Sequence, residues 1–181
     1  MFKPPTTHPA APRGVSLIET AVVLAIVAVL VGAAAPGFQE LRQRRQLDGV
    51  AALLETDLQL ARTEAVARNE SVRVGFVPDP GGGSCYVLHT GPVGGCVCDA
   101  QGVSTCGAGA IALRSVPLAA GFPVRLESNS ASIVFDAAKG TVTPTASIQL
   151  HSPVGQLRQI VNVMGRVRTC TPDGVSGHRA C

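Results

Sequence analysis

Arg166 and Arg168 are separated by one residue and stand close to the C-terminus, where Arg158 and Arg179 add further positive charge. Residues 151–181 carry four Lys+Arg and one Asp+Glu, against eleven of each in residues 1–150, so this segment holds the whole formal charge of +3. If 165–169 is extended, side chains alternate between faces and Arg166 and Arg168 share one, about 7 Å apart at the backbone. Two guanidinium forks at that separation suit successive phosphates of a nucleic-acid backbone. The competing reading is a solvated edge strand whose arginines discourage unwanted pairing. Aromatic residues are 3% of the chain and Trp is absent, which argues against stacking platforms for single-stranded bases.

The six cysteines, Cys85, Cys96, Cys98, Cys106, Cys170 and Cys181, offer redox chemistry. An even number in an oxidising compartment reads as disulfides, and six allow fifteen connectivities. Cys170 with Cys181 is the pairing expected, because it closes a loop containing the turn formers Pro172, Asp173, Gly174 and Gly177. The other four then staple the Gly-rich insertion 81–109, in an order that the sequence leaves open. A four-thiolate metal site is the alternative for them. Catalytic patterns are missing. His8, His89, His151 and His178 are scattered and each reads as a surface histidine, and no nucleophile motif or carboxylate pair stands out. The run Gly81-Gly82-Gly83-Ser84 lacks the Gly-Lys-Ser/Thr ending of a phosphate-binding loop and reads as a hairpin turn. No catalytic residue, resident metal, cofactor or small-molecule substrate is assigned.

The elements that must carry these residues begin with the apolar stretch 15–35, whose single charge is Glu19. About 20 helical residues cross a hydrocarbon core of about 30 Å, so this stretch can span a bilayer. A carboxylate within a span costs about 2.5 to 3.5 kcal/mol, which asks for a partner or a function. The competing reading is a carboxylate snorkelling at the interface of a plain signal anchor. A secretory signal carries its small-residue cleavage site after the apolar core. Here the candidate, Gly14, lies before it. Beyond Pro36, which should kink or unwind the helix, apolar residues recur at Leu47, Val50, Ala51, Leu54, Leu58, Ala61 and Ala65, the spacing of one helical face continuing to about Asn69. From Ser71 the pattern becomes alternation and short β-rich runs: Val72, Val74 and Phe76, then 85–90, 111–116, 124–127, 133–135, 147–151 and 157–163. A long helix laid on an antiparallel sheet is an α+β architecture. With 46% hydrophobic residues, and about 145 residues left after leader and span, the chain suffices for one core.

Gly14-Val15-Ser16-Leu17-Ile18-Glu19, the apolar run and Pro36 in register resemble the class III signal of type IV prepilins and type II secretion pseudopilins. The run Leu58-Gln59-Leu60-Ala61-Arg62-Thr63-Glu64-Ala65, followed by Arg68-Asn69, resembles the Leu-Gln-Leu-Ala-Arg-Ser-Glu-Ala run and Arg-Asn turn of the GspH/FimT branch. Gly165-Arg166-Val167-Arg168 resembles the C-terminal Gly-Arg-x-Arg motif of FimT-type minor pilins, some of which bind DNA.

The resemblance implies that a prepilin peptidase cuts after Gly14 and methylates Val15, where the family usually carries Phe or Met. Glu19 would then pair with the N-terminal amine of a neighbouring subunit and set the axial register of a filament. The implied organisation is a cleaved leader 1–14, a transmembrane helix 15–36, an amphipathic continuation 37–69 and a β-rich globular pilin-like domain 70–181. The partners implied are the peptidase, other pilins or pseudopilins, the inner membrane and DNA, with Arg166, Arg168 and Arg179 as the DNA-contacting residues. Lys3 and Arg13 precede the span while Arg42, Arg44 and Arg45 follow it, so a count of basic residues does not favour a cytoplasmic N-terminus. The resemblance and the cysteines place the globular part in the periplasm. A noncatalytic minor pilin of a type IV pilus is the expected function, and an H-type pseudopilin of a type II secretion system is the alternative.

Overall fold

The computed structural model describes residues 14–78, 81–99 and 101–181, so most of the expected leader lies outside the described residues. By backbone contacts the chain divides into two units, Met1–Gln39 and Glu40–Cys181.

Helix α1 runs Leu17–Arg68. It continues through Pro36, so the expected unwinding there does not occur. Ser16 caps its start: the Ser16 Oγ accepts the Glu19 N–H at 3.3 Å, the first half of a capping box that Ser16 and Glu19 are spaced to form. Its end is equally well defined. Asn69 takes a left-handed φ of 50°, and the N–H groups of Asn69 and Glu70 return to the carbonyls of Val66 and Ala65, a Schellman closure.

In the first unit α1 is apolar all round and exposed, with Val22, Val23, Ile26, Val27, Val29 and Leu30 uncovered. Mean hydropathy over its best 18-residue window is 2.5, long and apolar enough to cross a membrane. In the second unit only one face is apolar. Leu47, Val50, Ala51, Leu54, Leu58, Ala61 and Ala65, the positions that the three-and-four spacing picks out, are all buried.

The strands are β1 Val72–Pro78, β2 Ser84–Thr90, β3 Cys96–Cys98, β4 Ser104–Cys106, β5 Ile111–Leu118, β6 Arg125–Ser128, β7 Ser132–Phe135, β8 Val142–Thr143, β9 Ala146–Ser152, β10 Gly155–Val161 and β11 Val167–Cys170. They form a five-stranded sheet β5-β2-β1-β7-β8, a four-stranded sheet β11-β10-β9-β6 and the hairpin β3-β4. Every named pairing is antiparallel. The apolar face of α1 shares one core with both larger sheets, through Val72, Val74, Phe76, Tyr86 and Leu88 on one and Ile148, Leu150, Leu157 and Val161 on the other. The architecture is α+β.

Two features depart from the sequence expectation. The insertion is more than a stapled loop: β3-β4 forms a third layer over the outer face of the five-stranded sheet, enclosing Cys85 and Val87 with Cys96 and Cys98. With both faces covered, β2 is buried along its whole length, so His89 is an interior residue and not a surface one, its Nδ1 3.0 Å from the Thr90 carbonyl. Between α1 and the first sheet, fully buried Asp57 accepts the Tyr86 hydroxyl proton at 2.7 Å and faces the Arg114 Nε at 3.1 Å. Burial pushes the Tyr86 hydroxyl far above its ordinary range, and the hydrogen bond to Asp57 pushes it further.

Candidate functional site

Glu19 stands in the first turn of α1, exposed, where the positive end of the helix dipole favours a carboxylate. Its side chain makes no ion pair among the described residues. One turn earlier lies Val15, 68% exposed, and the two line one shallow depression with Thr20, Val23 and Leu24. Val15 thus lies just ahead of the Ser16 cap, four positions before Glu19. The sequence motif includes Ser16 without its capping role, although Ser-x-x-Glu before an apolar run is itself a helix-start signature.

The C-terminal arginines are set by the β10-β11 hairpin. Strand β11 pairs Val161 with Val167, Ile160 with Arg168 and Arg158 with Cys170. Arg168 therefore shares the outer face with Ile160, both exposed, while Val167 is half-buried. The expectation that 165–169 is extended is corrected here: the strand begins at Val167, and Arg166 sits in the turn. Its N–H donates to the Asn162 Oδ1 at 2.9 Å, and its carbonyl accepts from the Asn162 N–H at 3.1 Å. Gly165 forces the departure. It is buried with φ 72°, and a Cβ there would lie 3.2 Å from the Gly140 carbonyl oxygen. Only glycine takes that conformation without strain and also allows so close an approach.

Arg179 is brought back beside β11 by the C-terminal loop. Cys170 is bonded to Cys181, and Thr171 anchors the intervening loop. The Thr171 N–H donates to the Arg179 carbonyl at 2.8 Å, and the Cys181 N–H returns to the Thr171 carbonyl at 3.1 Å. The Thr171 hydroxyl donates to the Gln156 carbonyl and accepts the Val175 N–H. His178, read as a surface histidine, is instead half-buried with its Nε2 2.9 Å from the Asp48 Oδ1, tying the loop to α1. Arg168 and Arg179 thereby line one groove together with Ile160, Thr169 and the Cys170–Cys181 bridge, and Arg166 lies outside that groove. No carboxylate pairs with Arg166, Arg168 or Arg179 among the described residues, so three guanidinium groups face solvent near one sheet edge without an internal counterion.

The remaining cysteines pair as Cys85–Cys98 and Cys96–Cys106, which overturns the four-thiolate alternative. His151, on the outer face of β9, is half-buried near Glu127. His8 lies outside the described residues.

A family model described as Type II transport protein GspH matches residues 50–165, more than half of the chain. The chain belongs to the GspH family. It is a pilin-like subunit of the kind shared by type IV pili and type II secretion systems, a family of structural filament subunits that assemble with other pilins. Among solved structures, this GspH-family chain is similar to the type IV minor pilin FimU of Pseudomonas aeruginosa strain PAO1, at 18% identity and a TM-score of 0.49, covering 70% of this chain and 89% of that one. It is also similar to the minor pseudopilin EpsH from the type 2 secretion system of Vibrio cholerae, at 14% identity and a TM-score of 0.46, covering 70% of this chain and 98% of that one. No curated protein matches. The apolar first part of α1 and membership of this family are consistent with anchoring in the inner membrane.

Proposed function

We propose that this chain is a noncatalytic, FimT-type minor pilin of a type IV pilus that contacts DNA through Arg166, Arg168 and Arg179. The observation that carries the reading is that these arginines are all exposed and free of carboxylate partners among the described residues, with Arg168 and Arg179 sharing a groove at the β11 edge and Arg166 in the turn that leads into β11. In this reading a prepilin peptidase cuts after Gly14 and methylates Val15, the span 15–36 holds the precursor in the inner membrane, and the domain faces the periplasm. The exposed Glu19 then pairs with the new amine of a neighbouring subunit, which neutralises two charges that would each be costly in lipid. The second reading, an H-type pseudopilin of a type II secretion system, is favoured by the description of the matched family.

A salt titration of duplex DNA binding separates the two. Each phosphate neutralised contributes about 0.9 to the slope of log affinity against log salt. Arg166→Gln with Arg168→Gln should therefore weaken binding and flatten the slope by about 1.8. Identical affinity and slope in wild type and variant would remove these arginines as a DNA site and favour the secretion reading.

A further inference from the structure

Arg62 lies on α1, more than one hundred residues before the C-terminal arginines, yet its side chain runs across two glycines of the distant turns. A Cβ on Gly140 would stand 3.1 Å from the Arg62 Nε and 3.5 Å from its Cγ, and one on Gly165 would stand 3.5 Å from its Cδ. Both glycines are left-handed, at φ 60° and 72°. The turns are themselves fastened together, since the Val142 N–H donates to the Val163 carbonyl at 2.8 Å. The stem of Arg62 thus packs against both glycines, and the missing side chain of Gly140 leaves room for its Nε. Its guanidinium head makes no hydrogen bond or ion pair among the described residues.

Each of these glycines adjoins another cation in the chain. Lys139 immediately precedes Gly140, in a turn where the Asp136 Oδ1 accepts the N–H groups of Ala138 and Lys139 at 3.0 and 2.9 Å. Arg166 immediately follows Gly165. Because the Gly140 carbonyl oxygen lies only 3.2 Å from the Cβ position of Gly165, the backbones of Lys139 and Arg166 are within about 15 Å, a gap that two long basic side chains can close. Both are exposed. Of the carboxylates near this surface, Glu64 is paired with Arg68 at 2.6 Å, whereas Asp136 accepts the two backbone N–H groups and keeps its charge three residues before Lys139, so three cations face one anion.

We propose that Arg62, Lys139 and Arg166 form a second phosphate-binding cluster, so that a duplex backbone tracks from the Arg168 and Arg179 groove past the β10-β11 turn to α1. The inference rests on the DNA reading and extends it to two residues outside the C-terminal segment. An arginine with a packed stem and an unfilled donor fork is suited to an anion, and phosphodiester oxygens match that fork in two-pronged geometry.

The test uses the full chain in neutral detergent micelles and a short labelled duplex, with Arg62→Met, Lys139→Gln and Arg62→Lys. Methionine keeps an aliphatic stem over the glycines while removing the charge. Arg62→Met and Lys139→Gln should each weaken binding about eightfold at 0.1 M monovalent salt and flatten the salt slope by about 0.9, whereas Arg62→Lys should keep the wild-type slope. If Arg62→Met lowers the melting temperature, Lys139→Gln, on an exposed side chain, decides alone. Wild-type binding by both charge-removing variants, with loss confined to Arg166→Gln and Arg168→Gln, would overturn the second cluster and leave the DNA reading intact. A wild-type chain that does not bind the duplex at all would overturn both.

Discussion

Replacing Gly165 by alanine should destabilise the domain by about 2 to 3 kcal/mol, in two separable parts. The first is conformational, because φ is 72° and an L-residue in that left-handed region costs about 1 to 2 kcal/mol. The second is packing. The new methyl group would stand 3.2 Å from the Gly140 carbonyl oxygen and 3.5 Å from both the Arg62 Cδ and the Phe135 Cε1, in a buried position where inserted methyl groups typically cost about 1 kcal/mol or more. Gly174 supplies the control: its φ is 76°, but nothing lies within 4 Å of a Cβ there. Gly174→Ala should therefore show only the conformational part, about 1 to 2 kcal/mol. Thermal unfolding of both variants in micelles, followed by the circular dichroism of the domain, measures the difference. At about 2 to 4 °C per kcal/mol for a chain of this size, Gly165→Ala should melt several degrees below Gly174→Ala. Equal melting temperatures would show that Gly165 is required for its dihedral alone, and would refute the argument that the turn, the Gly140 loop and Arg62 form one tightly fitted unit.

Tyr86 is the only tyrosine of a chain without tryptophan, so tyrosinate absorbance reads it alone. Its hydroxyl is raised by burial and by Asp57, so Tyr86→Phe should lower stability by about 1.5 to 3 kcal/mol at neutral pH, the range for a hydrogen bond to a charged group. The folded state holds this proton more tightly than the unfolded chain, so the contribution is complete below about pH 10 and declines as pH rises beyond it. Tyrosinate appearing near pH 10 while the domain remains folded would contradict the buried Asp57 contact. For the N-terminus, mass analysis of the processed protein should find Val15 as its first residue, and Glu19→Ala should be cleaved normally yet recovered poorly in sheared filament fractions. A different first residue rules out cleavage after Gly14, and normal recovery of Glu19→Ala rules out the intersubunit pair.

Local signals were legible in the sequence and long-range ones were not. The buried face of α1 follows from seven apolar positions at three-and-four spacing, and the Val72, Val74 and Phe76 face of β1 from simple alternation, because both depend only on neighbours along the chain. The mistaken histidines have the opposite origin. His89 is buried because β3-β4 folds back over β2, and His178 meets Asp48 across 130 residues; nothing adjacent to either residue encodes that. Asp57 likewise reads as one more polar residue of an amphipathic helix until β2 and β5 bring Tyr86 and Arg114 to it.

The same distinction explains why the basic surface was only half visible. Arg166 and Arg168 are neighbours in sequence, so their grouping needs no fold, whereas Arg62 joins them only through Gly140 and Gly165. A glycine in a turn ordinarily reads as a backbone requirement, and Gly174 is such a case. At Gly140 the missing side chain also leaves room for an arginine from α1, whose Nε would lie 3.1 Å from a Cβ there, while Gly165 lets its turn close to 3.2 Å on the Gly140 carbonyl, so the two glycines help position a cation that neither carries. The Gly-Arg-Val-Arg segment is then more than two charges on a strand: its glycine lets the turn close on the Gly140 loop against which Arg62 packs, its first arginine stands at that turn, and its second lines the groove shared with Arg179. If that division holds, Gly140→Ala should weaken DNA binding even under conditions where the domain stays folded, because the methyl group would stand 3.1 Å from the Arg62 Nε and push it aside. Arg62→Met should show little additional loss when combined with it, since both changes remove the same contact.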